Sequence, residues 1–441
     1  MDTSKQNMLH AHAMQLTLFP FAVFLMLTIS AFAQNGIFID SNVTCINTIT
    51  RYKYNGTNAV HYVKTSDSTG HFLYNFSGGK APIGNFYKIP ITGYNITDFT
   101  VIRDTIYMCG VKVNGRGFCG WMKLGPSPVS VTLHLYHLWN DTSFVTDPRR
   151  IQVFNSMGGT QMVLVGNYFN PSDPNGNPAI VHIKKNVTSQ FYVAYLPGEH
   201  FDDVTVLDDY VVTVARKGYN DPVNASQIMR VLPKMVFNLN SNIFKKCYTM
   251  KAHSADSRVL LQHLDNNNLV AVYQDDEGYY INSHWVDNSG YLHINQYLNV
   301  NTALKSIYDV SYNSTDTSLM VLHGKDFFNI ASRFGCSLYP SISWIESYYP
   351  NEFGYCSGCP ILLKSLSRMG TSKFMVSGII GNDFMIWNTN GNCNISQYLS
   401  TTTTSSNTGY YEKRVVVDTI GMNTPQTTRP IQSTTVIAIC Q

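Results

Sequence analysis

The chain has 441 residues with a formal net charge of +3, and only 13% of them are charged. Lys and Arg are dispersed, and no basic run interleaves with stacking aromatics, which excludes a nucleic-acid footprint. Aromatic residues also make up 13%, and with abundant Tyr, Thr, Asn and Ser this is a strand-forming composition solvated by neutral polar groups.

At the front, Met1–Ala33 reads as a secretory signal. Lys5, His10 and His12 precede an apolar run that begins at Leu16, and Ala31-Phe32-Ala33 ahead of Gln34 has the small-x-small form of a cleavage site. Cleavage is expected after Ala33. The residue at 34 is Gln, so a lipid anchor of the bacterial kind has no Cys acceptor. No later segment is long and apolar enough to span a bilayer. The remaining residues, 34–441, are expected to form one domain.

That domain is organised around Thr97–Gly110, which returns downstream. Asp203–Val212 repeats the acid followed by an alternating apolar run, and Asp309–Tyr312 with Ser318–Val321 repeats it more loosely. Weaker copies begin near 46, 151, 259 and 362, which gives seven starts near 46, 99, 151, 204, 259, 310 and 362. A spacing of roughly 53 residues, each unit built of several short strands, is close to that of a β-propeller blade. No helical period is sustained, so the class is all-β. The expected fold is a seven-bladed β-propeller of four-stranded antiparallel blades. A polar loop, Ser400–Asn407, is expected to open the last stretch, 401–441, which is completed by closing strands. Of these, Thr434–Cys440 is expected to join the first blade.

Hairpin signals punctuate the units, among them Asp67–Gly70, Asn114-Gly115 and Asn390-Gly391. Cys109 and Cys119 stand symmetrically about the Asn114 turn, which predicts a disulfide across one hairpin in an oxidising compartment. Cys356-Ser357-Gly358-Cys359 has the C-x-x-C spacing. It lacks both a βαβ context and a second C-x-x-C, so a redox or metal role is not expected.

Catalytic signatures are nearly absent. Gly115–Gly120 matches G-x-G-x-x-G, but a strand follows where dinucleotide binding needs a helix N-terminus. No metal or cofactor motif is present, and none is expected to be bound. The acids carry one hypothesis. Asp98, Asp203 and Asp309 begin alternate innermost strands, from which they could face the axis to bind a cation or act on a sugar. Alternatively they accept backbone N–H groups between blades. The partner expected is a glycan or a protein, with a glycan-cleaving role for the three acids as the alternative.

The processing site and the blade-like repeat together resemble secreted or periplasmic propeller proteins of Gram-negative bacteria. The resemblance implies architecture and a location that is secreted, periplasmic or at the cell surface. It implies no functional family and no catalytic residue. N-x-S/T sequons occur at nine positions, Asn95 among them.

Overall fold

A computed structural model describes 32 strands between Ile37 and Ile439, together with residues 69, 92–93, 103–104, 113, 115–116, 124, 138, 207, 259 and 381–382. The expected signal segment 1–33, the C-x-x-C at 356–359 and the 390–391 turn lie outside the described residues. Every described element is a strand or a turn, so the chain is all-β.

The strands fall into antiparallel meanders. The first unit is β1 (Ile37–Tyr52), β2 (Ala59–Thr65), β3 (Gly70–Tyr74) and β4 (Tyr87–Ile91). The second is β5 (Tyr94–Ile102), β6 (Thr105–Lys112), β7 (Gly117–Lys123) and β8 (Ser130–His137), and the third is β9 (Val145–Ser156), β10 (Gly159–Asn170), β11 (Asp173–Lys184) and β12 (Thr188–Val193). The fourth comprises β13 (Glu199–Val206), β14 (Tyr210–Lys217), β15 (Ser226–Pro233) and β16 (Ile243–Lys251). The fifth has β17 (Leu260–Asp265), β18 (Asn268–Asp275), β19 (Gly278–Val286) and β20 (Leu292–Val300). The sixth has β21 (Ser306–Asn313), β22 (Ser318–Lys325), β23 (Phe328–Cys336) and β24 (Ile342–Pro350). A last meander of β25 (Ile361–Met369), β26 (Lys373–Ile380) and β27 (Asp383–Thr389) takes its fourth strand from the start of β1, where Phe38 pairs with Ile386. The repeat starts read from the sequence fall at or beside β1, β5, β9, β13, β17, β21 and β25.

Apolar alternation builds the seams between units. Tyr62, Phe72, Phe99, Met108 and Phe118 form one cluster from the first two units, with Phe72 edge-on to Phe99 at 5.1 Å between centroids. Cys45, Val63 and Leu73 of the first unit bury against Met375, Ile379, Phe384 and Ile386 of the last meander. Thr48 Oγ1 bonds Ser377 Oγ at 3.2 Å, and the Cys45 N–H donates to the Asn382 carbonyl at 2.7 Å in the same place.

The C-terminal part departs from expectation. Residues 400–403, expected in a polar loop, fall in β28 (Leu399–Thr403), which pairs with β24. Then β29 (Asn407–Gly409) pairs with β20, β30 (Asp418–Gly421) with β16, β31 (Gln426–Arg429) with β12 and β32 (Gln432–Ile439) with β8. The segment therefore adds a fifth strand to the sixth, fifth, fourth, third and second units in that order. Ile437 stands opposite Thr132, so the last strand pairs within the second unit rather than the first. The segment takes the outer strands one per unit in reverse order, and its last strand reaches β8, where Gln432–Ile439 lie in register with Ser130–His137; it packs beside β4, the outer strand of the first unit, without pairing to it.

A shared distortion recurs in the first strand of five units. The register slips between Ile96 and Asp98, Pro148 and Arg150, Phe201 and Asp203, Ile307 and Asp309, and Leu363 and Ser365. Each bulge inserts one residue and pushes the local backbone across the partner strand. Opposite three of the bulges stand Gly110, Gly166 and Gly378, and a Cβ there meets the carbonyl oxygens of Asn95, Asp147 and Leu362 respectively. These neighbours are backbone and cannot swing aside. Gly110→Ala and Gly166→Ala are each expected to cost about 1–3 kcal/mol, the usual range for overpacking, read as a lowered urea midpoint. A change at the exposed Val113 to Thr serves as the control and is expected to stay within about 0.5 kcal/mol. Equal midpoints for the glycine variants and the control would show that the bulge imposes no steric limit.

Candidate functional site

The same bulges aim one residue per unit at a common place. Asp98, Arg150, Asp203, Asp309 and Ser365 each follow the slip directly. The first strands of the units are successive neighbours, β1 against β5, then β9, β13, β17, β21 and β25, and β25 packs on β1; β5, β9, β13, β21 and β25 carry the five residues.

Arg51, near the end of β1, is the centre of the cluster. One Nη lies 2.8 Å from Asp98 Oδ1, and the other lies 3.3 Å from Asp309 Oδ2 and 3.2 Å from Ser365 Oγ, while Nε donates to the Phe99 carbonyl at 3.2 Å. Arg150 pairs with Asp98 at 3.7 Å and with Asp203 at 3.6 Å. Beside it Arg149 pairs with Asp147 and with Asp202, each at 3.3 Å.

Every acid has a second task. Asp98 Oδ2 accepts the Ile151 N–H at 3.2 Å, Asp203 Oδ2 accepts that of Leu261 at 2.8 Å, and Asp309 Oδ2 accepts that of Leu366 at 3.0 Å. In each case the donor belongs to the next unit. Asp203 and Asp309 also accept the N–H of the residue that follows them, Val204 and Val310. Each of the three acids therefore pairs with Arg51 or Arg150 while it accepts a backbone N–H of the next unit. The cation that a group of acids invites is provided by the chain itself, as two guanidinium groups.

Sequence reasoning missed both arginines. The signal was present for one of them, since Arg150 occupies the repeat position of Asp98 and Asp203, directly before Ile151. Arg51 lies outside that position and reaches residues 258 and 314 positions away. In the fifth unit the corresponding residue is Leu260, the one before Leu261, and it is buried.

Electrostatics follow from burial. Burial opposes the charge on Arg51, but Asp98 and Asp309 outweigh it and hold the guanidinium above its ordinary value; Asp203 and Asp98 do the same for Arg150. Burial pushes the Asp203 carboxyl up from 3.8 to about 6, against the lowering effects of Arg150 and the Leu261 and Val204 N–H bonds.

Cys109 and Cys119 stand directly opposite one another in β6 and β7, as the turn symmetry requires. The expected disulfide is absent: both are free thiols, fully buried in a cluster with Leu138, Ile151, Met162 and Leu164. Burial pushes both thiols well up, and the charge of Asp98 adds to this at Cys109, so the reactive thiolate is scarce. The Asn95 sequon is also committed to structure, since Thr97 Oγ1 donates to the Pro148 carbonyl at 2.6 Å.

No family model matches the chain, and no curated protein matches it. Solved structures similar to it are β-propellers, an architecture that the repeated meanders fit. The Cps50 (Swd1) β-propeller domain of Myceliophteria thermophila aligns at TM-score 0.45 and 10% identity, covering 80% of this chain and 99% of that one. The fucose-recognising six-bladed lectin of Aleuria aurantia aligns at 0.43 and 10% identity, over 82% and 96%. Hsv2 of Kluyveromyces marxianus aligns at 0.42 and 9%, over 81% and 97%. At TM-scores this low the likeness is loose, and the reading of this chain rests on its own strand pairing. Among the described residues no helix is long and apolar enough to cross a membrane.

Two outcomes are expected at the cluster. Arg51→Met leaves Asp98 and Asp309 short of a counter-charge and is expected to cost about 3–5 kcal/mol, with Arg51→Lys in between because an ammonium cannot reproduce the fork. Adding Asp309→Asn to Arg51→Met should cost less than the sum of the two single changes; a strictly additive pair of unfolding curves would mean the two groups do not couple.

The second outcome concerns pH. With a folded-state value above 3.8, the native state retains a proton at Asp203 that the unfolded chain releases. The contribution to stability is therefore full below about pH 4 and is lost as the pH rises through about 6. Asp203→Asn should remove this part of the pH dependence, worth at most about 3 kcal/mol. Urea midpoints of the two proteins, compared at steps across this range, check it; a constant difference would show that Asp203 titrates normally.

Proposed function

We propose that the chain is a secreted seven-bladed β-propeller, residues 34–441, that works by binding a glycan or protein partner rather than by catalysis. The seven repeat starts, the succession of first strands and the double use of β1 by the last and first meanders support the ring. In this reading β1 is the terminal strand that closes it. Secretion is supported by Met1–Ala33 alone, and the likeness to periplasmic propellers by that segment together with the blade-like repeat.

The observation that carries the binding role is the state of the three acids. Glycoside cleavage needs one carboxylic acid able to give a proton to the leaving oxygen and a second placed across the bond. Asp98, Asp203 and Asp309 are instead ion-paired with Arg51 or Arg150, and each holds a backbone N–H of the next unit. Their removal would open the contacts between units before it affected any chemistry. The raised value of Asp203 is the one feature that favours the glycan-cleaving alternative.

Panels of immobilised glycans and extracellular proteins, probed with the purified mature protein, test the proposal. Expected is retention on a defined ligand without release of reducing ends from soluble glycans. Glycan cleavage that disappears in Asp203→Asn, in a variant that still melts like the parent, would reverse the order of the two readings.

A further inference from the structure

The second unit carries an aromatic wall that neither the charged cluster nor the buried thiols use. Tyr107 of β6, Trp121 of β7 and His134 of β8 stand side by side in register, on the face of the sheet that also carries Cys109, Cys119 and Tyr136 in the adjacent row. The row of the thiols packs against Ile151, Met162 and Leu164 of the third unit. The row of Trp121 is only half-buried, and beyond it Lys123 and Thr132 are exposed. The junction of the two units therefore opens outward from the thiols, with Trp121 on one wall.

The indole is fixed in place. It stacks on the His134 ring at 4.0 Å between centroids and 19° between planes, and its Nε1–H donates to the Tyr136 hydroxyl at 3.3 Å. No other ring contacts it among the described residues. A held, half-exposed indole offers a flat apolar surface whose ordering is already complete.

The other wall is polar and uncharged. Asn155 and Thr160 are register partners at the β9–β10 turn of the third unit, where the Thr160 hydroxyl bonds Asn155 Oδ1 at 3.1 Å and also meets the Tyr107 hydroxyl across the junction. Asn155 itself is exposed. The charges at the rim cancel, since Lys123 Nζ pairs with Asp104 Oδ2 at 3.5 Å. An ionic ligand finds no unbalanced charge here, and a purely apolar anchor would cover the Asn155 carboxamide without replacing its bonds to water. A pyranose ring suits both walls: it has a face of C–H groups for the indole and an edge of hydroxyls that donate and accept, as Asn155, Thr160 and Tyr107 do.

We propose that the opening between the second and third units is a subsite for one neutral pyranose residue of a glycan, with Trp121 as its stacking platform and Asn155, Thr160 and Tyr107 as its polar edge. This rests on the binding reading above and selects the glycan from its two classes of partner.

The test uses the purified mature protein labelled with fluorotryptophan. The sequence has 5 Trp, and the fluorine line of Trp121 is the one that Trp121→Phe removes. Methyl pyranosides of glucose, galactose, mannose, fucose and N-acetylglucosamine are titrated in turn at millimolar concentration. With at least one of them the Trp121 line is expected to move saturably while the other lines stay. Trp121→Ala should weaken retention on the matching immobilised glycan by on the order of tenfold, as loss of one stacked aromatic face implies, and Asn155→Ala, at an exposed position, should weaken it in the same direction. Retention of the parent and Trp121→Ala alike, with a still Trp121 line, overturns the subsite and leaves the glycan reading standing. A parent that binds neither the sugars nor any immobilised glycan overturns both. A Trp121 line that moves with a retained protein partner, and with none of the sugars, assigns the opening to a protein contact and overturns the proposal.

Discussion

The side chain of Arg51 is the constraint on which the arrangement of units depends. From the first unit its guanidinium holds an acid of the second, an acid of the sixth and a hydroxyl of the last meander, and it also donates to the Phe99 carbonyl. Burying such a group is unfavourable by itself. It is tolerated because the same acids that neutralise it also satisfy backbone donors of neighbouring units, so few polar atoms are left without a role. A buried network of this kind contributes less to stability than to uniqueness: a unit displaced by one register position would break several charged contacts together.

The network depends on local backbone geometry. Asp98, Arg150, Asp203, Asp309 and Ser365 each follow a bulge, and the bulge turns the side chain out of the simple alternation of its strand. Glycine across the ladder is the condition for that distortion at Gly110, Gly166 and Gly378, since the displaced carbonyl lies where a Cβ would stand. Polar specificity at the centre and missing side chains in the second strands are therefore two sides of one device. Apolar seams such as Phe72 against Phe99 then add non-directional cohesion.

Outside this centre, the units are held in a different way. The outer edges of the second to sixth units are each paired with one strand of the C-terminal segment. The inner charged cluster and the outer strand pairing thus act on opposite ends of the same units.

Much was legible in the residues because it is local. Period-two alternation, Asn-Gly at a hairpin and the recurrence of Asp98, Asp203 and Asp309 are short-range patterns, and they determined the all-β class, the repeat and the importance of those acids. The direct opposition of Cys109 and Cys119 was equally local. Three things were settled only by tertiary structure. The partners of the acids were hidden because Arg51 lies 258 residues from Asp309, and nothing in either neighbourhood marks the other. The two thiols are free and buried against the third unit, surroundings that a hairpin pattern does not contain. The path of residues 399–439 was decided by which outer edges stood open once the units were in place, because a Thr-rich strand of low apolar content has no preference of its own until an edge offers it a ladder.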